Sequence, residues 1–163
     1  MEKILTKEYL HEIFEYKDGI LYWKLKSRRN LIQGNIAGRF RTDGYIAIGI
    51  NRKIYKAHRL IFMMHHGFFP KFIDHINNIK HDNRIENLRE STHSENCLNR
   101  KLRSDNVSNS KGVSWVEANK AWRVRVSDHG VRKFLGYYKD FEVANLVATE
   151  ARKKYHKEFA NHG

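Results

Sequence analysis

Residues 72 to 96 read FIDHINNIKHDNRIENLRESTHSEN, an Asp-His pair, several asparagines and two further histidines set among hydrophobic anchors. An imidazole with its ordinary pKa near ~6.5 can accept a proton at neutral pH, and carboxylate and amide oxygens can hold a cation. The stretch therefore has the parts of a metal-dependent catalytic site, and equally those of a polar loop rich in Asn and His. The lone Cys97 rules out an intrachain disulfide and a cysteine-based zinc cluster, so a metal here would fall to His, Asp or Asn. Such donors favour a hard ion such as Mg²⁺, although imidazole also suits transition metals.

The elements that would position these groups follow from local patterning. The apolar, β-branched KFIDHI predicts a strand ending in Asp74 and His75, and Asn83 is placed to cap one helical turn holding Asn87. REST reads as a second strand, and Thr92-His93-Ser94-Glu95 has the capping-box spacing that starts a helix. Strand, loop, strand and helix result, with His93 and Asn96 three residues apart on the face of the first turn. His65, His66 and His81 read as solvated surface residues.

Upstream, Thr6 can cap a short helix in KEYLHEIFEY, Asp18-Gly19 signals a hairpin, and Ile46, Ile48 and Ile50 alternate before an Asn51-Arg52 turn. A helix through AHRLIFMMHH should end at Gly67, with Pro70 blocking its continuation. Residues 101–111 carry few large apolar groups and read as a linker. Beyond it, GVSWVEA, AWRVRVSD and KFLGYYKD predict three strands, and Asp140 a cap for a helix on which Val143, Val147, Ala151 and Tyr155 recur. The whole is an α+β chain: residues 1–100, the linker 101–111, and a sheet-plus-helix domain over 112–163.

With 31 Lys and Arg against 18 Asp and Glu, the formal charge is +13, which points to an acidic polymeric partner, foremost nucleic acid. No apolar run approaches the ~18 residues a membrane span needs, and no signal-peptide pattern is present, so the chain reads as soluble and intracellular.

The order Asp74, His75, Asn87, Asn96, with YKAHRLI and GFFPKFIDHINN ahead of it, resembles the HNH nucleases of phage and intron-associated homing type, with their ββα-metal site. The resemblance implies a metal-dependent endonuclease in which Asp74 and Asn96 ligate the metal, His75 is the general base, and Asn87 fixes the loop and the orientation of His75. His58 would be structural. Many such enzymes carry His where this chain has Asn96; the amide oxygen makes Mg²⁺ the expected ion, with Mn²⁺ or another divalent metal as alternatives and His93 as the fallback ligand. The products implied are 5′-phosphate and 3′-hydroxyl ends.

The last fifty residues, through GVSW, WRVRV, LGYY and an Ala-rich helix, resemble the Apetala-type (ethylene-response-factor) DNA-binding domain. The resemblance implies double-stranded DNA as partner, read by the polar side of the sheet. Strand alternation separates Trp122, Val124 and Val126 from Arg123, Arg125 and Ser127, which makes Arg123 and Arg125, with Arg132 and Lys133 near the next turn, the expected DNA contacts. Trp115 is either a core residue or a stacking face. KLKSRRN and NRKLR would extend a basic track, with SDNVSNS as a flexible tether between nuclease and reader. Two other classes remain: a DNA-binding regulator with an inactive nuclease part, and a His-rich zinc adaptor, which the missing cysteine pairs and His-x-x-x-His spacing disfavour.

Overall fold

The computed structural model describes residues 5–24, 34–102, 104–128 and 130–161; most of KLKSRRN lies outside them, as does the last residue of NRKLR. The chain has a mixed α+β fold and divides into two compact units, Met1–Ser91 and Thr92–Gly163. The boundary between the two units lies between Ser91 and Thr92.

In the first unit Thr6 caps α1 (Lys7–Ile13), its side chain accepting from the Tyr9 amide. The helix is shorter than its periodicity suggests. Phe14 leaves it in extended conformation and starts β1 (Phe14–Lys17), which pairs with β2 (Ile20–Trp23) across a turn in which Asp18 and Gly19 both have positive φ. That is the geometry a tight hairpin turn requires. A second sheet holds β3 (Arg39–Phe40), β4 (Ile46–Ile50) and β5 (Lys53–Lys56), the last two joined by the positive-φ pair Asn51-Arg52. Helix α2 (Ala57–His66) ends at Gly67 in the left-handed region, and buries Leu60, Ile61, Phe62 and Met64 against Leu10, Phe14, Leu21 and Ile48. On this core rests the hairpin of β6 (Phe72–His75) and β7 (Leu88–Ser91), with one 3-10 turn at Ile85–Asn87 just before β7.

The second unit opens with α3 (His93–Leu98), whose capping box is complete: Thr92 accepts from the Glu95 amide, and Glu95 accepts from the Thr92 amide. An antiparallel sheet in the order β10-β9-β8 follows, from β8 (Val113–Val116), β9 (Ala121–Asp128) and β10 (Val131–Tyr138). Asp140 caps α4 (Phe141–His156), which packs on one face of the sheet. The buried stripe of α4 is Ala144, Ala148 and Ala151, whereas Val143 is exposed. Of the recurring residues Val147 packs against this core and Ala151 is buried, and among them only Val143 is exposed.

The segment expected to be a loose linker is folded onto this unit. Ser110 is buried and donates to Asn145 Oδ1 at 2.7 Å, and Ser108 Oγ lies 2.7 Å from the Val113 carbonyl. Its serines and asparagines satisfy turn backbone that a flexible tether would leave to water. Lys111 adds bonds to the Asn161 side chain and carbonyl, and Arg152 donates to the Lys111 carbonyl. Burial, and the cationic Arg152 beside it, lower the Lys111 ammonium pKa to about 8.

Candidate active site and nucleic-acid interface

Asp74 and His75 end β6 as expected, and both are buried, at 4% and 6% exposure. Cross-strand pairing sets Asp74 opposite Arg89 and His75 opposite Leu88. Arg89 Nε and Nη2 donate to Asp74 Oδ2 at 2.9 and 2.7 Å, so the buried carboxylate has a guanidinium partner. A buried charge of this kind is tolerated only with such compensation.

His75 sits in a nest of rings. The His58 ring centroid lies 5.0 Å away at 78°, and the Tyr45 ring 6.1 Å away. His58 is itself buried; desolvation, helped by the nearby His75, lowers its pKa to about 3, so it stays neutral wherever the protein is folded near neutral pH. Burial also lowers the His75 pKa, against the raising effect of its bond to Asn83 and of the Asp74 and Asp82 carboxylates. A neutral imidazole, the form able to take a proton, is therefore favoured. Tyr45 is shifted up by burial and by Asp43 and Asp74, and Lys56 Nζ stands 3.6 Å from its ring centroid.

Asn87 holds the loop between the strands. Its Oδ1 accepts from the Asn77 amide at 3.0 Å, and its Nδ2 donates to Asn77 Oδ1 at 3.0 Å and to the Asp82 carbonyl at 2.7 Å. The Asn83 side chain, expected to cap the helical turn, does not do so: Arg84 occupies the cap position, with no side-chain capping bond. Instead Asn83 Oδ1 lies 3.1 Å from His75 Nε2, in the interior. Its eight-residue separation from His75 carries no periodicity that would link the two. Arg89 reaches the site by pairing across from Asp74 and Tyr45 by the loop just before β4, and neither placement follows from local spacing.

Asn96 and the fallback His93 lie on α3, in the second unit, where His93 is exposed with Nε2 3.7 Å from Cys97 Sγ, and Asn96 is half-buried. Among the described residues no three His, Cys, Asp or Glu side chains cluster as a metal cage would. An oxygen donor such as the Asp74 carboxylate suits a hard divalent ion that keeps most of its water. His65, His66 and His81 are exposed.

In the second unit the register sorts the expected DNA contacts by face. Arg123 pairs across from Ser114 and Tyr137, Arg125 from Phe134, and Arg132 from Ser127, all on the face away from α4. Arg125, Arg132, Phe134 and Tyr137 line a hollow of about 410 Å³ there, with the two rings 5.1 Å apart. Arg123 is half-buried and donates to Ser114 Oγ at 3.2 Å. Lys133 departs from expectation: it pairs across from the buried Val126, bonds Asp128 at 2.6 Å and lies 4.2 Å from the Tyr155 ring centroid, on the helix side. Trp115 also leaves the reading face. It pairs across from Trp122, their rings 5.2 Å apart, and donates to Glu117 at 2.7 Å. No helix among the described residues is long and apolar enough to cross a membrane.

Residues 55–98, which hold the buried Asp-His pair and its loop, match the family model of the HNH endonucleases. Over 116 residues the chain is also 29% identical to Protein 3.8 of Escherichia phage T7, covering 67% of this chain and 93% of that protein. No solved structure matches.

Proposed function

We propose that this protein is a metal-dependent DNA endonuclease of HNH type, of phage or mobile-element origin, that hydrolyses phosphodiester bonds in the host cell. The observation that carries the reading is the buried Asp74-His75 pair, closed in by Asn83, Asn87 and His58, inside the segment that matches the HNH endonuclease model. His75 accepts the proton of the attacking water, Asn87 pins the loop beside it, and Asp74 and Asn96 would hold a divalent ion, Mg²⁺ by their oxygen donors. Such an ion would supply charge stabilisation for the phosphate and the departing 3′-oxygen. Arg89 keeps the Asp74 carboxylate in place and adds positive charge beside the substrate phosphate.

The second unit selects the DNA site in this reading. Arg123, Arg125 and Arg132 contact duplex DNA from the open face of the sheet, as the likeness to Apetala-type domains suggests, with Phe134 and Tyr137 as apolar flanks. One observation favours a second reading, a DNA-binding regulator whose nuclease part is inactive: Asp74, the carboxylate required for metal binding, is already paired with Arg89.

Supercoiled plasmid incubated with the protein and Mg²⁺ separates the two. Nicking that chelator abolishes and His75→Ala removes is the expected result. Equal nicking by wild type and variant would sink the mechanism, and tight binding without any nicking would favour the regulator.

A further inference from the structure

Asn83 is the most buried polar side chain near the site, at 1% exposure, and it is only half used. Its Oδ1 faces His75 Nε2 at 3.1 Å, while its Nδ2 is buried without a hydrogen-bond partner. An interior amide with an idle NH₂ is a costly arrangement that stability alone does not explain. The oxygen, by contrast, has a defined chemical consequence. A carbonyl only accepts, so the imidazole nitrogen it faces must carry the proton, and the ring's other nitrogen then carries the lone pair.

The backbone around Asn83 is fixed from several directions. A Cβ on Gly19 would stand 2.9 Å from the Asn83 carbonyl carbon and 2.6 Å from the Arg84 nitrogen, so the β1–β2 turn lies directly against this segment. Tyr16 Oη accepts from the Ile85 amide at 3.0 Å, and Arg84 forks onto Asp82 at 2.8 and 2.7 Å. An amide held this firmly against a ring can choose its tautomer as well as its orientation.

We propose that Asn83 is the positioning residue of the nuclease site: it holds His75 as the Nε2–H tautomer and so makes Nδ1 the atom that accepts the proton of the attacking water. The assignment rests on the nuclease reading above. In the step it serves, water gives a proton to His75 Nδ1, the resulting hydroxide forms the new bond to phosphorus, and the P–O3′ bond breaks. The departing 3′-oxygen takes a proton from solvent, and the imidazolium keeps its Nε2–H on Asn83 until Nδ1 returns its proton to water. Asn87, which bonds Asn77 and the Asp82 carbonyl, supports the loop, and Asn83 sets the base.

The test is a long-range ¹H–¹⁵N correlation spectrum of the full chain labelled with ¹⁵N-histidine, metal-free and alkaline enough to keep His75 neutral, beside steady-state cleavage of plasmid with Mg²⁺. Wild type should show the Nε2–H pattern for His75. Asn83→Leu should lose that pattern and lower kcat by about 10- to 100-fold with KM within about twofold, since a misplaced proton disables a general base without touching substrate binding. Asn83→Asp, which keeps an oxygen acceptor, should retain the pattern and most of the kcat, and it serves if the leucine variant does not fold. An Nδ1–H pattern in active wild type, or a leucine variant with unchanged tautomer and kcat, overturns the proposal. A wild type that cleaves nothing removes instead the nuclease reading on which it rests.

Discussion

The two units put their polar groups to different use. The first buries them: Asp74, His75, Asn83, Asn87 and His58 all lie in the interior, each against a defined partner or ring. The second displays Arg125, Arg132, Phe134 and Tyr137 on an open sheet face, while its buried polar groups tie the fold together, Ser110 to Asn145, Arg152 to the Lys111 carbonyl and His156 to the Ser127 carbonyl. Burial lowers the local dielectric, which strengthens fixed hydrogen bonds and shifts proton affinities, as chemistry on a water molecule needs. Exposure leaves charges hydrated and ready to displace counterions from a phosphate backbone, as binding needs. This chain has both kinds of arrangement, in separate units.

Substitutions chosen by unit should therefore separate cutting from holding. The largest effect is expected from His75→Ala, which should lower the single-turnover cleavage rate by about 10²- to 10⁴-fold while DNA affinity at fixed salt stays within about twofold. A parallel loss of affinity would blur the division. Removing Arg123, Arg125 and Arg132 together should weaken DNA binding by about 10- to 1000-fold and flatten the dependence of log K on log salt by about two to three. Cleavage at saturating DNA should then be nearly normal, and an unchanged salt slope would exclude the open face as the contact surface.

Gly19→Ala probes the buttress behind the buried site. A methyl group there meets Arg84 backbone at 2.6 Å in a residue with φ of +83°, so thermal or denaturant unfolding of the first unit should show a loss of about 1–3 kcal/mol. A silent substitution would mean that the hairpin does not brace the loop.

Acid should act on the first unit through His58. Its folded pKa of about 3 lies below the ordinary 6.5, so the unfolded chain binds the extra proton between these values. Its contribution is fully present above pH ~6.5 and is lost, by on the order of 1 kcal/mol per pH unit, as pH falls toward 3. Replacing His58 with Phe should flatten that slope in melting curves; an identical slope would place the acid sensitivity elsewhere. The depressed His75 pKa has a matching kinetic consequence: the cleavage rate should hold as pH drops through 6.5 and fall only below it.

The smallest effect is expected from Lys133→Ala. Its ion pair with Asp128 and its place beside Tyr155 lie on the helix side, so the salt slope of DNA binding should not move. A slope lowered by one would return Lys133 to the interface.

Much of this was legible along the chain because it depends on neighbours in sequence. Thr6, Thr92 and Asp140 cap their helices with their own side chains, and the turns at Asp18-Gly19 and Asn51-Arg52 adopt positive φ. Asp74 and His75 end a strand for the same local reason. Local patterning misplaces a residue that has two possible uses. Asn83 has the spacing of a cap and turns inward to His75, Val143 has the spacing of the α4 stripe and is exposed, and SDNVSNS has the composition of a tether and bonds α4 through Ser110.

By itself, then, the amino-acid order determined the helices, hairpins and caps, the α+β class, the alternation of Arg123 and Arg125 against Val124 and Val126, and the Asp-His pair, since each follows from backbone sterics and spacing within a few residues. Only the tertiary structure decided that Arg89 neutralises Asp74, that His58 and Tyr45 enclose His75, that Asn83 meets its ring, and that Lys133 and Trp115 sit on the far side of the sheet from Arg125. Those depend on strand register and on which buried group finds which partner, and such contacts are set by packing between segments distant along the chain.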